Sequence, residues 1–481
     1  MRSRTSLLIV ALICVTAGAA TYWLRSRQRP NVILITIDTL RADRLSAYGY
    51  TKHQTPNIDR LAKEGVLFEN AFCDVTWTTP SMASVMTGRY ATVHGLRSSF
   101  ERLSPQITTL AEVLSAQGVH TAALIASFPL DSMFGLDQGF ALYDDSFERG
   151  LLDFKVPPVR DQPGSKAELR QFLVLRAVQS AYRPDNEQSE RAIRWLRDEK
   201  QEPFFLWLHY FGPHEKPHSR ADPLEEQQAQ LAQYDPDVVE TDAQVGRFLA
   251  ALEALGLASR TAVVLHADHG QSLLEHNYLG HGKYLFDPSQ HVPLLMRSPG
   301  QLPSGVRVKR LVRNIDLFPT ILDLMRVKQT VPVDGGSLLP LIAGKDNGEP
   351  EETYVETYLA ANTMFAEEVG PDKNISLGFR RIGIRTPEWK FVINDPIPFV
   401  DQDDPAPVTP EMRTRYYSEE LYDLHSDPAE ITNVITGHRD VAAEFWKKLG
   451  DYRTRRGSES QKMALDAASR ERLRSLGYLA E

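Results

Sequence analysis

Asn31-Val32-Ile33-Leu34-Ile35-Thr36-Ile37 is an unbroken apolar, largely β-branched run that stops at Asp38. A strand of that composition has no solvent face, so it belongs inside a sheet covered on both sides, as parallel strands with crossover helices are. Two other runs repeat the pattern. Phe204–Leu208 (FFLWL) is followed by His209 and His214, and Thr261–Leu265 (TAVVL) leads into Ala267-Asp268-His269-Gly270. Helices are expected between them over Asn57–Gly65, Thr109–Gly118, Asp185–Lys200 and Asp235–Leu255. Strands alternating with helices predict an α/β fold around a largely parallel sheet. In such open sheets ligands collect at the carboxyl ends of strands, so Asp38 and Asp268-His269 are expected to converge in one crevice.

The chain has 481 residues, with 54 Lys+Arg against 63 Asp+Glu and a net charge of −9. Five Arg and no acid fall in residues 1–30, leaving −14 on the remainder. That balance excludes a nucleic-acid binder that works by neutralising phosphates. Two cysteines, Cys14 and Cys73, with no CxxC spacing, exclude a disulfide framework and thiolate zinc sites.

Thr5 to Leu24 carries no charge and is bracketed by Arg2 and Arg4 before it and Arg25, Arg27 and Arg29 after it. Twenty such residues at about 1.5 Å each match the roughly 30 Å bilayer core. The segment 1–30 is therefore expected to anchor the chain in a membrane with the main domain exported to the periplasmic or extracellular side. Ala17-Gly18-Ala19 leaves open the alternative of a cleaved signal and a secreted product. Residues 31–345 are expected to form the catalytic domain and 346–481 a smaller α+β subdomain. The latter carries β-like runs at Thr353–Tyr358, Phe379–Arg385 and Lys390–Ile393, and helices at Ala442–Arg456 and Gln461–Ser475.

Of thirteen histidines, three lie in 209–218 and five in 266–291. Strand-end Asp38, Asp268 and His269 have the chemistry of ligands for a divalent cation. Thr78-Thr79-Pro80-Ser81 reads as a helix start, with Thr79 as N-cap, Pro80 in the first turn and Gly88 just past the end. Free N–H groups and the dipole at such a terminus favour an anion. A hydroxyl beside it becomes a nucleophile once a metal lowers its pKa.

Thr78-Thr79-Pro80-Ser81-Met82-Ala83-Ser84-Val85-Met86-Thr87-Gly88-Arg89 resembles the signature of the sulfatase family, a branch of the alkaline phosphatase-like superfamily. Asp38-Thr39-Leu40-Arg41-Ala42-Asp43 is similar to the family's first metal motif, and Thr55–Leu61 with Glu64-Gly65-Val66 also matches. Phe204–Pro213 with His214, Asp268-His269-Gly270, His281-Gly282-Lys283, Val292–Leu295, Ile315–Thr320 and Leu421–Leu424 with Asp427-Pro428 extend the likeness over about residues 31–480. The resemblance implies an α/β/α sandwich with a large mixed, mostly parallel sheet and a smaller C-terminal α+β subdomain. It implies that Asp38, Asp268, His269 and Thr78 hold one divalent metal ion. It also implies that His214, Lys283 and His281 contact the transferring anion or protonate the leaving oxygen, with His94 a weaker substrate-binding candidate. His209 and His218 are read as structural.

Three departures bear on the chemistry. Thr78 stands where classical sulfatases have the Cys or Ser that becomes formylglycine. Met82 replaces the family's Arg, and Thr39 replaces a second metal-binding Asp. The set is more similar to the related membrane phosphotransferases that use an unmodified Thr, which shifts the expected metal towards manganese or zinc, with calcium still open. The expected substrate is a phosphate or sulfate ester, on a glycan or lipid headgroup, and no nucleic acid is expected. The competing reading is an inactive relative that binds an anionic glycan or lipid.

Overall fold

The computed structural model describes residues 29–98, 101–147, 181–214, 223–346, 348–349, 351–358, 367–369, 375–397, 409–455, 460–463 and 465–476. The N-terminal apolar segment, His218 and most of the 150–185 and 401–410 loops lie outside them. No helix among the described residues is long and apolar enough to cross a membrane.

The apolar run Asn31–Ile37 forms strand β1 and is buried along its whole length. It sits in an eight-stranded sheet with β2 (Val66–Phe72), β3 (His120–Leu124), β4 (Leu142–Asp144), β5 (Phe204–Tyr210), β6 (Thr261–His266), β7 (His291–Arg297) and β8 (Val306–Arg313). The order is β8-β2-β7-β6-β1-β5-β3-β4. Only β7 runs antiparallel to its neighbours, so the sheet is mixed and mostly parallel, as expected. β1 lies between β5 and β6, so the loops leaving all three strands open at the same edge.

Six helices matter here: α1 (Pro56–Glu64), α2 (Thr78–Thr87), α3 (Asp185–Asp198), α4 (Pro223–Ala254), α5 (Leu317–Leu324) and α6 (Arg439–Thr454). α4 packs on α1 and α3, while α2 packs on α5. One continuous apolar core runs between these helices and the sheet.

A second, antiparallel sheet is built from β9 (Thr353–Tyr358), β10 (Ile375–Arg385), β11 (Trp389–Ile397) and β12 (Ser418–Asp423), in that order, with Glu367–Val369 also paired to β10. It has its own core against α6. One expected helix is corrected. Within Gln461–Ser475 only Ala467–Ser475 is helical, because Gln461–Lys462 pairs with Glu101–Arg102 as a strand. The chain end thus returns to the large domain, where Leu473 and Leu476 join the main core.

Candidate functional site

The carboxyl ends of β1 and β6 carry Asp38 and Asp268. The Asp38 N–H donates to the Tyr210 carbonyl of β5 at 3.1 Å, which fixes where the chain turns away from the sheet. Thr39 then adopts φ 57°, a left-handed conformation that is rare for a β-branched residue. Two contacts hold it there: its N–H donates to Asp268 Oδ1 at 3.3 Å, and the Tyr234 hydroxyl of α4 donates to its carbonyl at 2.8 Å. The Asp268 carbonyl accepts from Ser81 Oγ at 2.6 Å and Asn314 Nδ2 at 3.2 Å, tying the end of β6 to the helix α2.

α2 begins earlier than its sequence suggests. Trp77 is the N-cap, and Ser81 N–H already bonds to its carbonyl at 3.0 Å. Thr79 is therefore not the cap; its hydroxyl donates to the Pro129 carbonyl at 2.6 Å. Gly88 closes the helix at φ 65°, as expected. Thr78 lies in the first turn, fully buried. Its Oγ1 is 3.1 Å from His269 Nε2.

His269 gathers the site. Its Nδ1 is 2.9 Å from the Gly270 carbonyl, so Nδ1 carries the proton and Nε2 presents a lone pair. That Nε2 is 3.8 Å from Asp38 Oδ1 and 3.5 Å from Asp268 Oδ2. One donor atom from each of Asp38, Asp268 and His269 lies within 4.8 Å of the others. All three residues are buried. Among the described residues, Asp268 Oδ2 and Thr39 Oγ1 have no hydrogen-bond partner. Burial pushes the Asp268 carboxyl pKa upward, the penalty of a negative charge held in an apolar interior. Two buried carboxylates and an imidazole lone pair with an unused oxygen fit a divalent cation.

His281 and His214 come together on the other side of His269. Their Nε2 atoms are 3.2 Å apart, so one of the two carries the shared proton. The His269 and His281 rings are 4.4 Å apart, and His214 stacks on Phe211 at 4.7 Å. Burial drives the His281 pKa well below the usual imidazole range. Gly282, at φ 80°, has no room for a Cβ, which would lie 2.2 Å from the Trp77 ring. Lys283 follows, half-buried, its ammonium 5.1 Å from the centre of the Tyr284 ring.

His94 is placed elsewhere. It is fully buried behind α2, its Nδ1 accepting from Leu96 N–H at 3.2 Å and its Nε2 donating to Ser84 Oγ at 3.0 Å. His209, read from sequence as structural, instead has its Nε2 3.7 Å from Asp38 Oδ2. Its Nδ1 accepts from Ala126 N–H at 3.3 Å, which leaves the proton on Nε2, facing the carboxylate. His209 pairs across the sheet with Thr36, and Thr36 shares a strand face with Asp38. That period-two relation was the available signal. On the other flank Trp207 Nε1 donates to Thr36 Oγ1 at 3.0 Å, Thr36 Oγ1 donates to His266 Nε2 at 2.9 Å, and His266 Nδ1 donates to the Ala267 carbonyl at 2.9 Å. Burial sets both His209 and His266 down to about 3, so both are neutral.

A mixed α/β sheet with buried carboxylates and imidazoles at its strand ends, facing a hydroxyl in the first turn of a helix, is the construction of an ester hydrolase. The chain belongs to the sulfatase family, whose model matches residues 30–327; a model of the N-sulphoglucosamine sulphohydrolase C-terminal region matches residues 275–393. Arylsulfatase K of Homo sapiens is 24% identical over 92% of this chain and 85% of its own length. An arylsulfatase of Clostridium perfringens is 25% identical over 88% of this chain and 92% of its own. Among solved structures, a protein in complex with its substrate D-glucosamine-2-N,6-O-disulfate superposes with a TM-score of 0.65 at 19% identity, covering 89% of this chain and 98% of that one. The phosphonate monoester hydrolase of Agrobacterium radiobacter superposes with a TM-score of 0.64 at 22% identity, covering 88% and 95%.

Proposed function

We propose that this sulfatase-family hydrolase cleaves a phosphate or sulfate ester with Thr78 Oγ1 as the nucleophile. The observation that carries the reading is the placement of that hydroxyl, 3.1 Å from His269 Nε2 in the first turn of α2 and beside two buried carboxylates. Asp38, Asp268 and His269, with Thr78, would hold one divalent cation, manganese or zinc ahead of calcium because one ligand is an imidazole. Such a cation, when bound, supplies the positive charge that lowers the hydroxyl pKa and offsets charge on the transferring group.

Thr78 enters the reaction as its alkoxide, the proton having left to solvent. Oγ1 forms a bond to the phosphorus or sulfur while the bond to the departing alcohol breaks on the opposite side. One of His214 and His281, having first taken up a proton from solvent, delivers it to that alcohol oxygen and returns to its neutral form. The N-terminal dipole of α2 and the Lys283 ammonium offset charge on the non-bridging oxygens. Water then attacks the Thr78 ester at phosphorus or sulfur and regenerates the hydroxyl. An unmodified Thr cannot use an aldehyde hydrate, so release depends on this second displacement, a step phosphorus supports well. The phosphate-type reaction is accordingly the first choice, and the sulfate-type one keeps the support of the family. The segment Thr5–Leu24 is proposed to export or anchor the domain; a cytoplasmic C-terminus in a protease-accessibility assay would rule that out.

The test is the full chain stripped of metal and reloaded with Mn²⁺, Zn²⁺ or Ca²⁺, against matched aryl sulfate, phosphomonoester and phosphodiester substrates. Phosphoester turnover restored by Mn²⁺ or Zn²⁺ and absent from Thr78→Ala supports the proposal. Turnover unchanged in Thr78→Ala refutes it.

A further inference from the structure

The C-terminal sheet turns two unlike faces to the molecule. One carries Tyr354, Ile382, Ile384, Phe391 and Leu421, packed with Phe445 of α6. Directly paired residues share a face and successive residues alternate. The register of β9, β10 and β11 therefore assigns Thr357, Arg381, Arg385 and Lys390, with Val355 and Val392 between them, to the other face.

The segment Gly282–Asp287 lies along that polar face. Thr357 Oγ1 donates to the Gly282 carbonyl at 2.5 Å, Arg381 Nη1 to the Lys283 carbonyl at 2.9 Å, and Lys390 Nζ to the Leu285 carbonyl at 2.9 Å. The Leu285 side chain clusters with Val355 and Val392. The far end is pinned by charge: Lys390 Nζ is 2.5 Å from both Asp287 Oδ1 and Glu430 Oε1, Arg385 Nη2 is 3.1 Å from Asp287 Oδ2, and Asp287 N–H donates to Glu430 Oε2 at 2.7 Å. From His281 to Phe286 the chain has no helix or strand of its own. Three of its six carbonyls, those of Gly282, Lys283 and Leu285, are satisfied by three strands of another sheet instead.

From this geometry we infer that Thr357, Arg381 and Lys390 are positioning residues: the C-terminal sheet is the template that fixes the backbone from which His281 and Lys283 project. The inference rests on the reading of His281 and Lys283 as site residues, and none of the three touches the reacting atoms. Displacing a catalytic group by about 1 Å costs on the order of 100-fold in rate, so backbone anchors of this kind act on turnover more than on binding.

The test uses Thr357→Val, which keeps shape and removes the donor, and Arg381→Met, each alone and combined with Lys283→Ala in the full chain. Hydrogen–deuterium exchange is followed over residues 281–286, alongside kcat and KM for the ester that wild type cleaves. The expected result is exchange at least ten-fold faster over 281–286 with strands 353–357 and 389–395 unchanged. With it, kcat falls about 10- to 100-fold, KM stays within about threefold, and a smaller loss, the part that acts through His281, follows in the Lys283→Ala background. Unchanged exchange over 281–286, or a kcat that stays at the wild-type value in both single variants, overturns the inference. Full activity in Lys283→Ala alone would overturn the reading of the site itself, an outcome visible separately from the exchange data. Thr357→Val, nearly isosteric, keeps the question answerable if Arg381→Met does not fold.

Discussion

Asp74 offers the sharpest quantitative check on the interior behind α2. It is fully buried four residues before Thr78, and its Oδ2 accepts from Ser84 Oγ at 2.7 Å. Ser84 in turn accepts the His94 Nε2 proton, so a directed chain of donors ends on this carboxyl. Burial, reinforced by the nearby Glu356 carboxylate, pushes Asp74 up to about 8. The folded protein then keeps a proton that the unfolded chain releases near 3.8. The associated stability is complete below pH 3.8 and is lost as pH climbs through about 8. Within that window the loss is about 1.4 kcal/mol per pH unit, or about 3 kcal/mol between pH 5 and pH 7.5. Asp74→Asn keeps the acceptor for Ser84 and cannot ionise. Urea unfolding of both proteins at pH 5, 6, 7 and 8 should show the variant gaining on wild type at that slope. Any constant offset from the new amide is separable from the slope. His94, His209 and His266, each set to about 3 by burial, destabilise both proteins equally as pH falls below about 6.5 and cancel in the difference. Parallel stability profiles would show that Asp74 is ionised in the fold and that the burial argument is wrong.

Three further outcomes are expected. Thr78→Ala should lose at least about 10³-fold in kcat, whereas Thr78→Ser should stay within about ten-fold and lose about 1 kcal/mol of stability for the buried methyl, measured by steady-state kinetics and urea unfolding. Asp268→Asn should weaken divalent metal binding by about 100-fold or more in equilibrium dialysis, because it removes a charged ligand while keeping the shape. Thr109→Ala breaks the capping box in which Thr109 Oγ1 accepts from Glu112 N–H at 3.2 Å and Glu112 Oε2 from Thr109 N–H at 2.8 Å, and should cost about 1 kcal/mol in urea unfolding.

Asp38, Asp268 and His269 were legible because an apolar strand that stops at a charged residue announces where its side chains meet solvent or ligand. Thr78 was legible through its surrounding motif more than through capping, since the cap fell on Trp77, a residue with no cap side chain. His209 was not legible alone. Its position beside Asp38 depends on which strand pairs with β1, and pairing across more than 170 residues leaves no local trace. The same holds for Gln461–Lys462, whose strand character comes wholly from Glu101–Arg102. The sequence marks Thr353–Tyr358, Phe379–Arg385 and Lys390–Ile393 only as β-like runs; that a loop following β6 covers their polar face is visible in the fold alone.

The place of β1 has a consequence for how the protein is made. The strand nearest the start of the chain is a central one, and Thr36 meets His266 only after 230 further residues. At about 5–20 residues per second of synthesis, that strand waits roughly 10–45 s for its second neighbour. Such distant pairing folds slowly and leaves an apolar, β-branched segment open to wrong partners meanwhile. Shielding residues 31–37 during that interval removes the exposed segment on which such mispairing depends.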